Sequence, residues 1–220
     1  MKLLFDFGGV IVDLDKERCC KAFDKLGFDI RPVLGTYSQG GIFGQLENGT
    51  LSVQQFCEEI RKMCDHTQPT DEEIIEAWQQ YLIGVPAERL EMLLKIKQHY
   101  PLYVLSNTNS IHWDMALQDY FEYKDHHLND FFEEVFLSHE IGAEKPDPAI
   151  FQAVVDGIGG EPGDILFFDD SEKNCEGARA FGMQSLLAPA GSLWFNYFDE
   201  DGRLKDNANE EDIKQLLKNQ

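Results

Sequence analysis

Three aspartates stand where short apolar runs end, a position from which a carboxylate can do chemistry. Asp6 closes the run Leu3-Leu4-Phe5, and Asp169 and Asp170 close Ile165-Leu166-Phe167-Phe168. A further run, Leu102 to Leu105, ends in Ser106-Asn107. Lys145 sits in Gly142-Ala143-Glu144-Lys145-Pro146-Asp147-Pro148, a loop that leads into a helix. If the runs are adjacent strands, these groups converge, and the carboxylates repel one another. A bound Mg²⁺ relieves the repulsion, because it takes hard oxygen ligands, often one or two carboxylates with water and a phosphate oxygen. Lys145 adds a second cation and Ser106 a hydroxyl donor. A nucleophilic carboxylate, a metal, a lysine and a hydroxyl together make a trap for a phosphoryl group.

Such convergence requires a particular architecture. Strands are predicted near 2–7, 102–105, 135–137, 165–168 and 184–187, with extended backbone continuing through Val10-Ile11-Val12 to Leu14. Helical periodicity is predicted from Asp15 to Leu26, from Ser52 past Met63, from Asp71 to Tyr81 and from Pro86 to His99. It returns over 111–120, 148–158 and 172–181, and a last helix is expected near 210–217. Strands alternating with helices imply an α/β fold with a Rossmann-like parallel sheet covered on both faces. In such sheets ligands bind beyond the carboxyl ends of the strands. The stretch 15–88 lacks strong strands and reads as a small inserted helical domain, leaving 1–14 and 89–220 as the α/β core. The glycine-rich part of it, Tyr37 to Gln45, either lines a substrate site or connects helices.

Composition narrows the partners. The chain has 220 residues with 40 acidic against 19 basic side chains, a net charge of −21, which disfavours nucleic acid and anionic membranes. No stretch is long and apolar enough to span a bilayer. The five cysteines show no CxxC pairing and are expected as free thiols in a cytoplasmic protein. The six histidines show no ligand spacing with acidic partners, and Asp199-Glu200-Asp201-Gly202 reads as a turn rather than a calcium loop.

Taken in order, the motifs resemble the haloacid-dehalogenase (HAD) superfamily of hydrolases. Leu3-Leu4-Phe5-Asp6-Phe7-Gly8-Gly9-Val10-Ile11-Val12-Asp13 resembles its first motif, Val104-Leu105-Ser106-Asn107 its second, Lys145-Pro146 its third and Phe167-Phe168-Asp169-Asp170 its fourth. The stretch from Phe5 to Asp15 is similar to the branch containing bacterial α-D-glucose-1-phosphatase-like enzymes. The resemblance implies that Asp6 attacks phosphorus and forms an aspartyl-phosphate. It implies Mg²⁺ held by Asp6, the Gly8 carbonyl and Asp169, with Asp170 or Asn174 ordering metal-bound water. Ser106 and the Asn107 backbone N–H are implied to bind phosphoryl oxygens, Lys145 to offset charge, and the helical insertion to cap the site over a small phosphorylated metabolite, such as a sugar phosphate.

One position departs from the family pattern. Most phosphatases of the superfamily carry a second aspartate, the general acid and base, two residues after the nucleophile; here that residue is Gly8. Positioned acid–base catalysis is worth ~10²–10⁴ in rate, so a slow or selective phosphatase is expected. Asp13 or Asp15 could stand in, although both suit capping of the following turn or helix. Two other readings stay open: a 2-haloacid dehalogenase, which uses the same nucleophile without metal, and a feebly active phosphometabolite-binding protein. The sequence is silent on oligomeric state.

Overall fold

The computed structural model describes residues 1–35, 40–64 and 66–211. In chain order the elements are β1 (Lys2–Phe5), β2 (Asp13–Leu14), α1 (Lys16–Lys25), α2 (Gly41–Glu47), α3 (Val53–Met63), α4 (Asp71–Gln79), β3 (Leu82–Gly84) and α5 (Ala87–Lys97). Then follow β4 (Leu102–Ser106), α6 (Ser110–Asp119), α7 (Leu128–Phe131), β5 (Glu134–Leu137), α8 (Ser138–Ile141), α9 (Pro148–Ile158), β6 (Ile165–Asp169), α10 (Glu172–Phe181) and β7 (Gln184–Leu187).

Five strands form a parallel sheet in the order β5-β4-β1-β6-β7. Side chains of a strand alternate between faces, and here both faces are dry. Leu3, Phe5, Val104 and Phe168 join one apolar cluster, while Leu4, Leu105, Ile165 and Phe167 join the other. That explains why these strands read as unbroken apolar runs, as buried parallel strands do. The chain moves from β1 to β4 and β5 on one side, then to β6 and β7 on the other. The end of β1 is therefore a topological switch point, where a crevice opens. Asp6 is the next residue.

Two sequence expectations change. Backbone 7–12 is not extended: the N–H groups of Ile11 and Val12 both donate to the Phe7 carbonyl, and Gly9 N–H donates to Val12. Val10, Ile11 and Val12 are fully buried in this tight turn, so packing overrides their β preference. The insertion also contains a strand, since β2 pairs antiparallel with β3 at its base. Three residues are too few for a period to show. The element α2, seven residues set among glycines, is likewise too short to show a clear period.

Caps close the N-termini of the inserted helices α1, α3 and α4. Asp15 caps α1 by accepting from Arg18 N–H at 2.8 Å. Ser52 with Gln55 and Thr70 with Glu73 form capping boxes on α3 and α4. Between β2 and β3 the four helices α1–α4 close on an aromatic cluster. Phe43 sits with its ring centroid 4.8 Å from Trp78, 5.1 Å from Phe56 and 5.9 Å from Phe23. The aromatic segment after β7 packs on the sheet, with Trp194 Nε1 donating to the Val10 carbonyl at 3.1 Å. All five cysteines are free thiols, and no helix among the described residues is long and apolar enough to cross a membrane. Of the last expected helix, 212–217 lies outside the described residues, as do positions 37–39 of the glycine-rich stretch.

Phe43→Ala should cost about 3–5 kcal/mol, the usual loss for a buried Phe. Urea unfolding of the two proteins checks this; a change under about 1 kcal/mol would mean that the aromatic cluster does not organise the inserted helices.

Candidate active site

Asp6 follows β1 directly, and its N–H donates to the Phe168 carbonyl at 2.8 Å, which pins it between β1 and β6. Its Oδ1 accepts from Phe7 N–H at 2.7 Å. Lys145 reaches the same oxygen: Nζ donates to Asp6 Oδ1 at 2.6 Å, to Asp169 Oδ2 at 2.8 Å and to the Leu105 carbonyl at 3.0 Å. An ammonium has three protons, so this one is fully satisfied and cannot rotate without losing a bond.

The loop carrying Lys145 is clamped. The Asn107 side chain accepts from Lys145 N–H at 2.8 Å and donates to the Lys145 carbonyl at 3.1 Å. Asn107 thus serves the lysine with its side chain, whereas the sequence reading assigned it to substrate through its backbone. The Lys145–Pro146 peptide is cis. Behind the loop lies Gly177 of α10; a Cβ there would come within 2.6 Å of Pro146 Cβ and 3.1 Å of the Pro146 carbonyl oxygen.

Asp169 ends β6 fully buried. Its Oδ1 accepts from Ser171 N–H at 2.8 Å and from the Asn174 side chain at 3.0 Å. Asn174, expected to order water, donates its side-chain amide to Asp169. Asp170 packs against Gly9, whose φ is +78° and where a Cβ would fall 2.5 Å from Asp170 Oδ2. Only glycine fits there.

One carboxylate oxygen from each of Asp6, Asp169 and Asp170 lies within 4.8 Å of the others. Burial pushes the Asp6 carboxyl up to about 7, with Lys145 opposing and Asp169 adding to the rise. Burial also pushes Asp170 up to about 8, helped by the charges of Asp6 and Asp169. Burial works against charge on Lys145 too, but Asp169 and Asp6 overcome it and hold the ammonium protonated. Three acidic groups around one lysine leave the cluster a cation short. A hard divalent ion such as Mg²⁺ suits that donor set, and these residues could hold it.

The cavity above Asp6 encloses about 70 Å³, well below the ~300–1,000 Å³ of drug-sized sites, so it suits a small ligand. Gly8, Ser106, Asn107, Lys145, Asp170 and Asn174 line it, as expected for the site. Asp13 and Asp15 do not. Asp13 is ion-paired with Arg89 at 2.6 Å and Asp15 caps α1, so neither replaces the carboxylate missing at Gly8.

Sequence reasoning missed the other polar parts of the wall: Glu47 from α2, Tyr81, Thr108 and His112. Glu47 is buried, and a buried glutamate has no signature in a single sequence. His112 is neutral, with burial pushing it down to about 4. Its Nε2 lies 2.9 Å from the Trp78 carbonyl, which can only accept, so Nε2 carries the proton. Its Nδ1 is 3.3 Å from the Asn109 side-chain nitrogen and accepts from it.

Comparison with known proteins bears on this geometry. Residues 3–182 match the family model described as haloacid dehalogenase-like hydrolase. A D-ribitol-5-phosphate phosphatase of Bacteroides thetaiotaomicron is 34% identical over 193 residues, 87% of this chain and 93% of that one. A HAD-family enzyme from the same organism, solved with magnesium and inorganic phosphate, superposes with a TM-score of 0.84 at 38% identity, covering 90% of this chain and 98% of its own. A predicted HAD-like hydrolase of Porphyromonas gingivalis superposes at 0.80 with 27% identity, over 100% of this chain and 98% of its own.

Two measurements check the site. Gly177→Ala should push the Lys145 loop outward and lower kcat/KM by up to about 10²-fold, the scale of a 1 Å misplacement; an unchanged value would show that the loop yields. Asp6 and Asp170 ionise later in the folded protein than in an unfolded chain, where aspartate titrates near ~4. Between those values the unfolded state binds fewer protons, so metal-free stability should fall as pH rises from about 5 to 8. Urea unfolding in a chelator should show a shallower fall for Asp170→Asn, and equal slopes would count against the assignment.

Proposed function

The chain belongs to the haloacid dehalogenase-like hydrolases, and on that premise we propose that it is a Mg²⁺-dependent phosphomonoester hydrolase working through Asp6 on a small phosphorylated metabolite. The observation that carries the reading is the cluster itself: a carboxylate at the floor of a small cavity, bound to a buried lysine and facing two further aspartates. The magnesium and phosphate in the Bacteroides structure and the ribitol-phosphate activity of the named relative support it. They favour an open-chain or cyclic sugar or sugar-alcohol phosphate.

In this reading Asp6, Asp169 and the Gly8 carbonyl, with Asp170 nearby, would hold Mg²⁺, which would supply positive charge to the phosphoryl oxygens and to Asp6. The chain's own groups do the remainder. Lys145 keeps Asp6 ionised and aimed. Ser106 and the Asn107 backbone N–H bind phosphoryl oxygens. Asp6 attacks phosphorus in line, displaces the alcohol and carries the phosphoryl group until water takes it, which divides one hard step into two. Residues 15–88 act as a cap that encloses the leaving group and excludes bulk water.

The acid-rich cluster favours this chemistry over dehalogenation, which is expected to run without a metal. Asp6 at the cavity floor, held by Lys145, supports turnover over mere binding.

A panel of sugar, sugar-alcohol and simple alkyl phosphates should yield inorganic phosphate with Mg²⁺ and none after chelation. Asp6→Asn should lose at least about 10³-fold, as nucleophile removal does elsewhere. Tight phosphate binding without release from any substrate would instead favour the binding-protein reading.

A further inference from the structure

We propose that Arg89, which lies outside the cavity wall, is a positioning residue for the cation site: its guanidinium holds the turn 7–12 in the shape that sets Gly8 beside Asp6 and Asp170. The proposal rests on the Mg²⁺-dependent reading above and says what keeps the backbone ligand of that reading in place.

The turn follows Asp6 directly and meets the acidic cluster twice. Gly8 lines the cavity together with Asp6 and Asp170. Gly9, at φ +78°, lies so close to Asp170 that a Cβ would fall 2.5 Å from its Oδ2. A displaced turn therefore moves both Gly8 and the surface against which the Asp170 carboxylate packs.

The turn is held partly from within and partly from outside. Within it, the N–H groups of Ile11 and Val12 donate to the Phe7 carbonyl, and Gly9 N–H donates to the Val12 carbonyl. Three successive carbonyls are bonded from elsewhere in the chain. Gly9 accepts from Gly191 N–H at 3.1 Å, Val10 from Trp194 Nε1 at 3.1 Å and Ile11 from Arg89 Nη1 at 2.9 Å. Of the carbonyls from Phe7 to Val12, that of Gly8 alone has no donor among the described residues. Backbone carbonyls shut off from water are normally paired. This one, on the cavity wall, is left to a water or a cation.

Arg89 is the charged member of the three outside anchors, and it is 3% exposed. Besides Ile11 it reaches two further segments: Nη2 donates to Asp13 Oδ1 at 2.6 Å and Nε to Ser192 Oγ at 3.3 Å. One planar fork on α5 thus joins the turn, β2 and the segment after β7. Asp13 in turn pairs with Gly84 of β3 at the base of the insertion. The donors of a guanidinium have fixed mutual geometry, so the bonds to Asp13 and Ser192 determine where the Ile11 carbonyl, and with it the turn, can sit. Groups that orient metal ligands from behind in this way are typically worth about 10–100-fold in metal affinity.

Calorimetric titration of the metal-stripped protein with MgCl₂ reads this role without turnover. Arg89→Met keeps an apolar stem and loses every donated bond, and it should weaken Mg²⁺ binding by about 10–100-fold. Arg89→Lys keeps the charge without the planar fork and should fall between Arg89→Met and the wild type. Phe43→Ala is the control for lost stability in general: it disturbs the aromatic cluster of the insertion and should change Mg²⁺ affinity by no more than about twofold. Unchanged affinity in Arg89→Met overturns the proposal. So does an equal loss in Arg89→Met and Phe43→Ala, which would report loosening of the whole fold. Should Arg89→Met fail to fold, Arg89→Lys decides: a loss larger than that of Phe43→Ala is expected, and wild-type affinity overturns the proposal. Wild-type protein that takes up no Mg²⁺ would sink the metal-dependent reading instead, a result distinct from a wild type that binds Mg²⁺ and Arg89 variants that bind it equally well.

Discussion

The Lys145 ammonium, buried between Asp6 and Asp169, is the interaction around which the site is arranged. Two carboxylates and an ammonium removed from water are each costly to desolvate. They are tolerated because every proton of the lysine has an acceptor at 2.6–3.0 Å. The supporting parts then follow. Asn107 holds the lysine's backbone, Asn174 and Ser171 hold Asp169, and the hydrogen bond from Asp6 N–H to Phe168 locks Asp6 to the next strand. Gly177 is a helix glycine because the Pro146 ring lies where its Cβ would be.

The arrangement is deliberately incomplete in charge. A single lysine does not neutralise Asp6, Asp169 and Asp170, and burial, with the neighbouring carboxylates adding to it, raises the protonation of Asp6 and Asp170. The same imbalance that is unfavourable for the empty fold prepares a place for a divalent cation and, through it, for a dianionic phosphoryl group. On a molecule with net charge −21, such local compensation is the condition for binding phosphate at all.

The inserted helices are joined to the sheet more intimately than a hinged lid would suggest. Their aromatic cluster and one face of the sheet belong to the same apolar core. His112 from α6 stacks on Trp78 from α4 with ring centroids 4.5 Å apart and donates to its carbonyl. Ser138 holds the end of α2. These contacts hold Glu47 and Tyr81 of the insertion in the wall of the cavity that contains Asp6.

Much of this was legible in the residues alone. Apolar runs ending in Asp6, Ser106 and Asp169 announce buried parallel strands with chemistry at their tips, because a strand with both faces dry must be continuously apolar and its end is where the chain first meets solvent or ligand. Capping at Asp15 and Ser52 was equally readable, since it depends on neighbours three residues away. The tertiary structure decided what no local pattern encodes. It turned 7–12 into a tight loop, built the β2–β3 pair from strands of two and three residues, aimed the Asn107 side chain at Lys145 and paired Asp13 with Arg89. It also brought Glu47, Tyr81 and His112 to one cavity from elements far apart in sequence. Periodicity reports which face of an element is buried; which distant elements meet, and which polar side chain is left facing the nucleophile, is fixed only when the whole core packs.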